Sequence, residues 1–291
     1  MTDKKRVLVL LATYNGQKYI EEQLESILVQ IDVDIELLVS DDNSTDNTLE
    51  IVNKLAKDCD INLLTNRKTL GSSANFFNLI ENCNTQFIDY IAFSDQDDIW
   101  NKDKIISAIN QLENSNCDGF SSDVIAYWPE LKRKKLLKKS YTQQEYDHWF
   151  ESPGPGCSQV FTVKSFESFK KIIIKNKRKL TKIEYHDWLI YSYYKHNNYK
   201  WIISDEPKML YRQHQSNVSG ANYTIKAKLT RFNKILDDWY KNQIMLNYEV
   251  ITNKEFNEFV RSERLLFKPL SLRRNKLYSL FVWLLLCLGI L

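Results

Sequence analysis

Four apolar runs, each closed by a polar turn and followed by residues at helical spacing, decide what the first part of this chain can become. Val7-Leu8-Val9-Leu10-Leu11-Ala12 contains no polar residue, as expected of a parallel strand covered on both faces. Ile20, Leu24, Ile27 and Leu28 then recur at helical spacing. A second strand is expected over residues 35–40 and a second helix over 48–55. Ile61-Asn62-Leu63-Leu64 gives a third strand, followed by a helix through Phe76, Leu79 and Ile80, and Tyr90-Ile91-Ala92-Phe93 a fourth strand. Strands spaced about a helix apart imply βαβ crossovers and an open, mostly parallel sheet of an α/β fold.

In such sheets ligands bind outside the carboxyl ends of the strands, so the polar turns there are the place to look. They are Thr13-Tyr14-Asn15-Gly16, the stretch from Asp41 and Asp42 to Asp46, Asn66-Arg67, and Ser94-Asp95-Gln96-Asp97-Asp98-Ile99-Trp100. All four are expected to converge on one edge. The last is the most telling. Carboxylates crowded at the end of a buried strand call for a divalent cation or a proton-handling role. The spacing Asp95-x-Asp97 lets one carboxylate face a metal while the other reaches it, or its water, around a turn. Mg²⁺ and Mn²⁺ take few protein oxygens and leave positions for phosphate. The competing reading is a solvated loop before a helix, because Asn101-Lys102-Asp103-Lys104 opens a helical pattern.

With 291 residues the chain can form one large α/β domain and a smaller appendage. A net charge of +3 gives no global polyelectrolyte character, although lysines bunch at residues 132–139 and 170–182. Those clusters lack a recognisable nucleic-acid reading element. Cys59, Cys83, Cys117, Cys157 and Cys287 are odd in number, with no CxxC pair. This points away from a disulfide framework or a zinc site and toward a reducing, cytoplasmic setting. No signal-peptide apolar region precedes the first strand, so the sequons at Asn43, Asn217 and Asn222 read as chance matches.

After residue 115 the rhythm changes. Residues 119–128 read as one more strand, and Ser152-Pro153-Gly154-Pro155-Gly156-Cys157 as a tight loop. Residues 226–265 show helical periodicity, and 277–291 form a nearly unbroken apolar stretch behind Arg273-Arg274-Asn275-Lys276.

The ordered motifs ATYNG, VSDDNSTDNT, SDQDDIW, GPGCSQVF, YHDWLIY and YRQHQSNVSG resemble the family 2 inverting glycosyltransferases of the GT-A fold. Within that family the likeness is to bacterial rhamnosyltransferase-type enzymes of surface polysaccharide synthesis. It runs from about residue 6 to residue 222 and is more specific for the family than for the sugar. The resemblance implies a catalytic domain over residues 1–225, with a nucleotide-sugar-binding half (1–115), an acceptor half (116–225) and a C-terminal helical region (226–291). Thr13, Tyr14 and Asn15 would meet the nucleotide, unless they simply form a turn. Asp41 and Asp42 would read a uracil or thymine ring, since Thr45 and Asp46 precede the helix and satisfy its capping. Arg67 would face the nucleotide, with a surface arginine as the alternative. Asp95 and Asp97, with Gln96 between them, match the family's metal-binding element and would hold Mn²⁺ or Mg²⁺ against a diphosphate. Asp98 would orient a ligand or touch the donor sugar, while Trp100 packs.

Inverting transfer also requires a general base. Asp187 stands at that position in Tyr185-His186-Asp187-Trp188, with helix capping as the alternative. His214 would complete the metal or diphosphate site and Arg212 would pair with phosphate. Gly156, Cys157, His186 and Trp188 fall on the acceptor side.

The partners implied are a dTDP- or UDP-sugar donor and a polyprenyl-diphosphate-linked glycan acceptor. As a helix, residues 277–291 would measure about 22 Å, marginal against a bilayer core of about 30 Å. They are expected to dock on the inner face of the membrane, or instead to pack on the domain through Leu286 and Leu288. Rival functions are a UDP-hexose or UDP-N-acetylhexosamine transferase, a catalytically silent nucleotide-sugar-binding partner, and a phosphohydrolase or receiver-like domain. The silent partner would lack Asp95, Asp97 or the base, and the long C-terminal half counts against the last.

Overall fold

In the computed structural model, which describes residues 4–57, 59–214 and 238–291, the side chains of β1 (Lys5–Thr13) divide between two cores. Leu8, Leu10 and Ala12 enter one buried cluster, and Val7, Val9 and Leu11 the other. That double burial is why the run carries no polar residue. β2 (Val33–Asp41), β3 (Ile61–Thr65) and β4 (Tyr90–Ser94) flank it, and all of these pairings are parallel. The intervening helices are α1 (Ile20–Leu28), α2 (Thr48–Leu55) and α3 (Ser72–Asn82). α1 and α2 cover one face, together with α4 (Lys104–Ser115); α3 covers the other.

The segment expected as one strand over 119–128 is two, β6 (Gly119–Ser122) and β7 (Val124–Trp128), in different sheets. Asp123 makes the break. Its buried carboxylate accepts from Ser140 N at 2.8 Å and Ser140 Oγ at 2.9 Å, and from Lys139 N at 2.5 Å. β6 joins the main sheet, whose order among the described residues is β10-β6-β9-β4-β1-β2-β3, with β9 (Val160–Thr162) and β10 (Trp201–Ser204). Only β9 runs antiparallel to its neighbours there. β7 joins a smaller sheet, β5-β11-β7-β8, with β5 (Ile99–Trp100), β8 (Arg133–Leu137) and β11 (Met209–Arg212). The lysine cluster largely forms β8, an edge strand, where cations discourage further pairing.

The chain beyond residue 115 adds α5 (Asp147–Phe150), α6 (Val163–Lys175), α7 (Lys177–Leu180) and α8 (His186–His196). The expected C-terminal helices are α9 (Trp239–Thr252), α10 (Phe256–Ser262) and α11 (Lys276–Cys287). Residues 226–237, Asn217 and Asn222 lie outside the described residues. Tyr240 stacks on Trp188 at 5.8 Å and Tyr248 meets Trp149 at 4.9 Å, which places α9 in the same core as β1. Arg274, just before α11, is buried between Asp147 (Nη1 to Oδ2, 3.4 Å) and Glu151 (Nη2 to Oε2, 3.5 Å). Leu286 is buried as the packing alternative required, but Leu288 is 67% exposed.

Candidate active site

The ends of β1, β2 and β4 lie in register, with Thr13 opposite Asp41 and Leu11 opposite Ser94. The turns that leave them are laced together. Gln96 Oε1 accepts from Thr13 Oγ1 at 2.7 Å and from Tyr14 N at 2.8 Å, and Gln96 Nε2 returns a bond to the Tyr14 carbonyl at 3.0 Å. Asn15, at φ 47°, donates from its N–H to Ser44 Oγ at 2.8 Å and accepts from Thr45 N at 2.8 Å. A Cβ at Gly16 would sit 2.3 Å from Gln96 Oε1, so a side chain there would displace the Gln96 amide from its bonds to Thr13 and Tyr14. The result is a cleft of about 490 Å³, of the size that small ligands occupy. Its walls include Thr13, Tyr14, Asp42, Asp95, Gln96 and Asp97 from the sheet edge. Lys139, Ser152, Gly154, Gly156, His186 and Asp187 face them from the second half.

Several expected residues take other places. Capping does not leave Asp41 and Asp42 free: Asp41 is fully buried and accepts from Ser44 N (2.8 Å) and Ser44 Oγ (2.6 Å). Asp42 reaches the cleft wall, but accepts from Leu70 N and Gly71 N at 2.8 Å each and from Asn66 Nδ2 at 3.2 Å. Asp46 does bond Thr48 at the start of α2, whereas Thr45 turns to Asn15. Asn15 and Arg67 lie outside the cleft; Arg67 is exposed, and Thr69 and Gly71 of its loop, with Ser72 at the start of α3, line the wall instead. Arg212 does not reach the cleft. Its Nη2 meets Glu22 Oε2 at 2.5 Å, its Nε donates to the Asp97 carbonyl at 2.7 Å, and its plane covers Tyr19. Trp188 turns into the core, donating to the His148 carbonyl at 2.8 Å, so it lines no acceptor surface.

The acidic cluster divides by depth. Asp95 and Asp97 line the cleft, while Asp98 is fully buried behind them and cannot touch a sugar. Burial, reinforced by the charge of Asp97, pushes the Asp95 carboxyl up to about 7. Asp97 Oδ2 lies 2.6 Å from His214 Nε2, which brings together two residues widely separated in sequence. Asp98 Oδ1 accepts from Arg212 N at 3.1 Å, and its buried Oδ2 has no hydrogen-bond partner among the described residues. Burial drives its carboxyl far above the usual range, with Asp97 and Asp95 adding to the effect.

Cys157 is not on the acceptor surface as expected. It lies fully buried, its sulfur within 4.8 Å of oxygens of Asp95 and Asp98, and burial raises its thiol well above the ordinary value. Lys104 Nζ lies below, 3.6 Å above the Trp100 ring. These donors fit a hard divalent cation at the cleft-facing pair. The Asp95 carboxyl, raised to about 7 by burial and the charge of Asp97, gives up its proton readily to a cation, and the neutral thiol offers no competing soft ligand.

Across the cleft, Asp187 lies in the first turn of α8 with 9% of its surface exposed. Its Oδ1 accepts from Trp188 N at 2.8 Å. Burial pushes its carboxyl up to about 6, against weaker opposing effects from that N–H and from Lys139. His186 stacks on Phe76 at 3.8 Å and meets Phe93 at 5.5 Å. Burial lowers its imidazole to about 3, so it is neutral and forms an uncharged wall. Gly156 is required there, since a Cβ would lie 2.6 Å from His186 Nε2. Sequence reasoning missed Lys139. It closes the basic run but turns inward because Asp123 binds its N–H, and burial lowers its ammonium to about 8. The signal was available only as Asp123 interrupting an otherwise strand-like segment.

The protein-family model that matches is "Glycosyl transferase family 2", aligned with residues 8–173, so Asp187 lies beyond the aligned part. The chain is 42% identical over 289 residues to the dTDP-rhamnosyl transferase RfbG of Shigella flexneri, covering 96% of this chain and all of the relative. It is 27% identical to WfgD of Escherichia coli, a UDP-Glc:alpha-D-GlcNAc-diphosphoundecaprenol beta-1,3-glucosyltransferase, over 87% of this chain and 96% of that one. Among solved structures, S. aureus TarS 1-349 with UDP superposes with a TM-score of 0.56 at 14% identity, over 87% of this chain and 68% of TarS. The mannosyltransferase PcManGT of Pyrobaculum calidifontis with GDP-Man and Mn2+ gives 0.53 at 18%, over 86% of this chain and 70% of that one. The fold is theirs, and the chain belongs to glycosyltransferase family 2.

Proposed function

We propose that this enzyme transfers rhamnose from dTDP-rhamnose, with inversion, to a glycan carried on a polyprenyl diphosphate at the cytoplasmic face of the membrane, using Mn²⁺ or Mg²⁺. The observation that carries the reaction type is one buried carboxyl, Asp187, lining the same cleft as the Asp95 and Asp97 pair. The full-length likeness to a dTDP-rhamnosyl transferase supports the donor, and the name of the second relative supports a lipid-linked acceptor.

Asp187 takes the proton of the acceptor hydroxyl as that oxygen bonds the anomeric carbon, and the nucleoside diphosphate leaves with the electrons of the broken bond. A carboxyl poised near 6 is ionised at neutral pH yet basic enough to hold the proton. Trp188 N–H fixes its direction, and neutral His186 with Gly156 shapes the wall against which the acceptor rests. Thr13 and Tyr14, tied down by Gln96, present the nucleotide side. Asp95 and Asp97, with His214 beside the latter, would hold the cation, which supplies positive charge against the departing diphosphate.

The test is a panel of dTDP- and UDP-sugars with Mn²⁺ or Mg²⁺, scored by release of free nucleoside diphosphate. Turnover of dTDP-rhamnose that disappears in Asp97→Asn and on chelation supports the reading. Turnover of a UDP-hexose instead moves the donor to the alternative that WfgD represents. Binding without turnover of any donor, with or without acceptor, moves the chain to a silent partner.

A further inference from the structure

Beyond its first turn, α11 is almost wholly apolar, but the protein covers only one side of it. Ser279, Val282, Leu285 and Leu286 are buried, while Leu277 (76% exposed), Leu280 (38%), Phe281 (38%), Leu284 (49%) and Leu288 (67%) face outward. At 3.6 residues per turn these five fall within an arc of about 100°. The neighbouring turn, Leu265–Phe267, adds Leu266 at 43% and Phe267 at 83% exposure. Trp283 Nε1 donates to the Leu266 carbonyl at 2.7 Å and fastens that turn to the helix. Scattered apolar residues need no explanation, but a contiguous stripe marks a surface that meets something.

Charge says what it meets. From Arg264 to Leu291 the chain carries Arg264, Lys268, Arg273, Arg274 and Lys276 and no aspartate or glutamate. Arg264 and Lys276 are exposed beside the stripe's beginning. Lys268 is paired with Glu145 and Glu263, and Arg273 and Arg274 with Glu151, which leaves exposed Arg264 and Lys276 at the border; an apolar stripe flanked by such cations complements an anionic bilayer. The helix has 12 residues, about 18 Å, and no described helix is long and apolar enough to cross a membrane. It can therefore lie in the interface but not span it.

We propose that this face of α11, with the Leu265–Phe267 turn, docks in the interfacial plane of an anionic phospholipid bilayer. The proposal rests on the reading that the acceptor is lipid-linked, and names the surface that brings the cleft to it. Arg274 connects the two. Its Nη2 donates to the Ser152 carbonyl at 2.5 Å and its N–H to Glu151 Oε1 at 2.6 Å, and Ser152 lines the cleft beside Gly154. A docked helix thus holds the acceptor wall at a set distance from the lipid.

Cys287 borders the stripe and is exposed, whereas Cys83 and Cys157 are buried. Full-length protein carrying Cys59→Ser and Cys117→Ser is labelled at Cys287 with an environment-sensitive dye and mixed with phosphatidylglycerol/phosphatidylethanolamine or pure phosphatidylcholine vesicles. The expected result is a blue shift and flotation with the anionic vesicles, weakened at least about tenfold in phosphatidylcholine or high salt. Leu280→Glu with Leu284→Glu lowers flotation by a similar factor and leaves donor turnover unchanged. Equal flotation of that double variant, or no dye response to either vesicle, overturns the proposal. So does a wild-type dimer that the double variant converts to monomer, which would assign the stripe to a second copy. The dye readout needs no stripe variant, so it decides even where the double variant misfolds. Docking without turnover of any donor would sink the transferase reading and leave the surface standing; turnover without docking would do the reverse.

Discussion

Trp188 donates its main-chain N–H to Asp187 Oδ1 at 2.8 Å, so the helix that carries the carboxyl also aims it. Asparagine can accept the same bond without the charge. Burial has moved this carboxyl from 3.8 to about 6, which makes its ionised form costly to the fold. The sign follows directly: stability is lost as pH rises from the unfolded value toward about 6 and stays lost above it. Asp187→Asn is therefore expected to reduce transfer at least about a hundredfold while raising stability at pH 7.5 by up to about 3 kcal/mol. Thermal melts at pH 7.5 and pH 4 check this, because the gain should shrink at the lower pH. A variant that is inactive and also less stable would point to a capping role for the carboxylate.

Lys139 is among the influences that lower the Asp187 carboxyl. Removing its charge in Lys139→Met should let that carboxyl climb. The base form then appears at higher pH, and the acidic limb of kcat/KM moves up from about 6 by roughly half a unit to one unit. A pH profile with an unmoved limb and only a lowered plateau would mean that the lysine binds substrate without acting on Asp187.

At position 156 a methyl group would lie 2.6 Å from His186 Nε2 and 3.4 Å from Asp187 Cβ. His186 has little room to shift, since Phe76 stacks on its ring at 3.8 Å and Phe93 meets it at 5.5 Å. Gly156→Ala is expected to destabilise by about 1–3 kcal/mol. It should also cut transfer to the acceptor more than it cuts donor hydrolysis. Assaying both reactions on one preparation separates a shifted acceptor wall from general unfolding, which would lower them equally.

Arg274 and Asp147 form a salt bridge at 3.4 Å with both side chains out of solvent. Breaking one side of such a pair strands the other, at about 3–5 kcal/mol. Arg274→Met should lower the denaturation midpoint accordingly, and Asp147→Asn in the same chain should restore part of the loss. Additive effects in the four-member cycle would show that the two groups do not communicate.

β1 and β4 were legible because burial on both faces leaves only apolar residues; β2 and β3, less covered and carrying Glu36 and Asn62, were legible from their spacing between helices. Asp187 was legible as well, since a helix start and a cleft carboxyl share one signal and the structure shows both. Depth was not legible. Asp97 and Asp98 are adjacent and identical in type, yet one faces the cleft and the other is sealed beneath it, in the bend between β4 and β5 where Arg212 N binds Asp98 from a distant strand. Arg212 and Trp188 were misread for a related reason: their partners, Glu22 and the His148 carbonyl, are far away in sequence. The splitting of residues 119–128 depended on what Asp123 binds, which no local pattern reveals.

Gln96 grips Tyr14 from both sides, holding its N–H and its carbonyl with one amide group. The turn proposed to meet the nucleotide and the turn that carries Asp95 and Asp97 are therefore a single mechanical part. Donor choice cannot be transplanted by exchanging the first turn alone; in a chimera, residue 96 and the glycine it presses against at 16 would have to travel together.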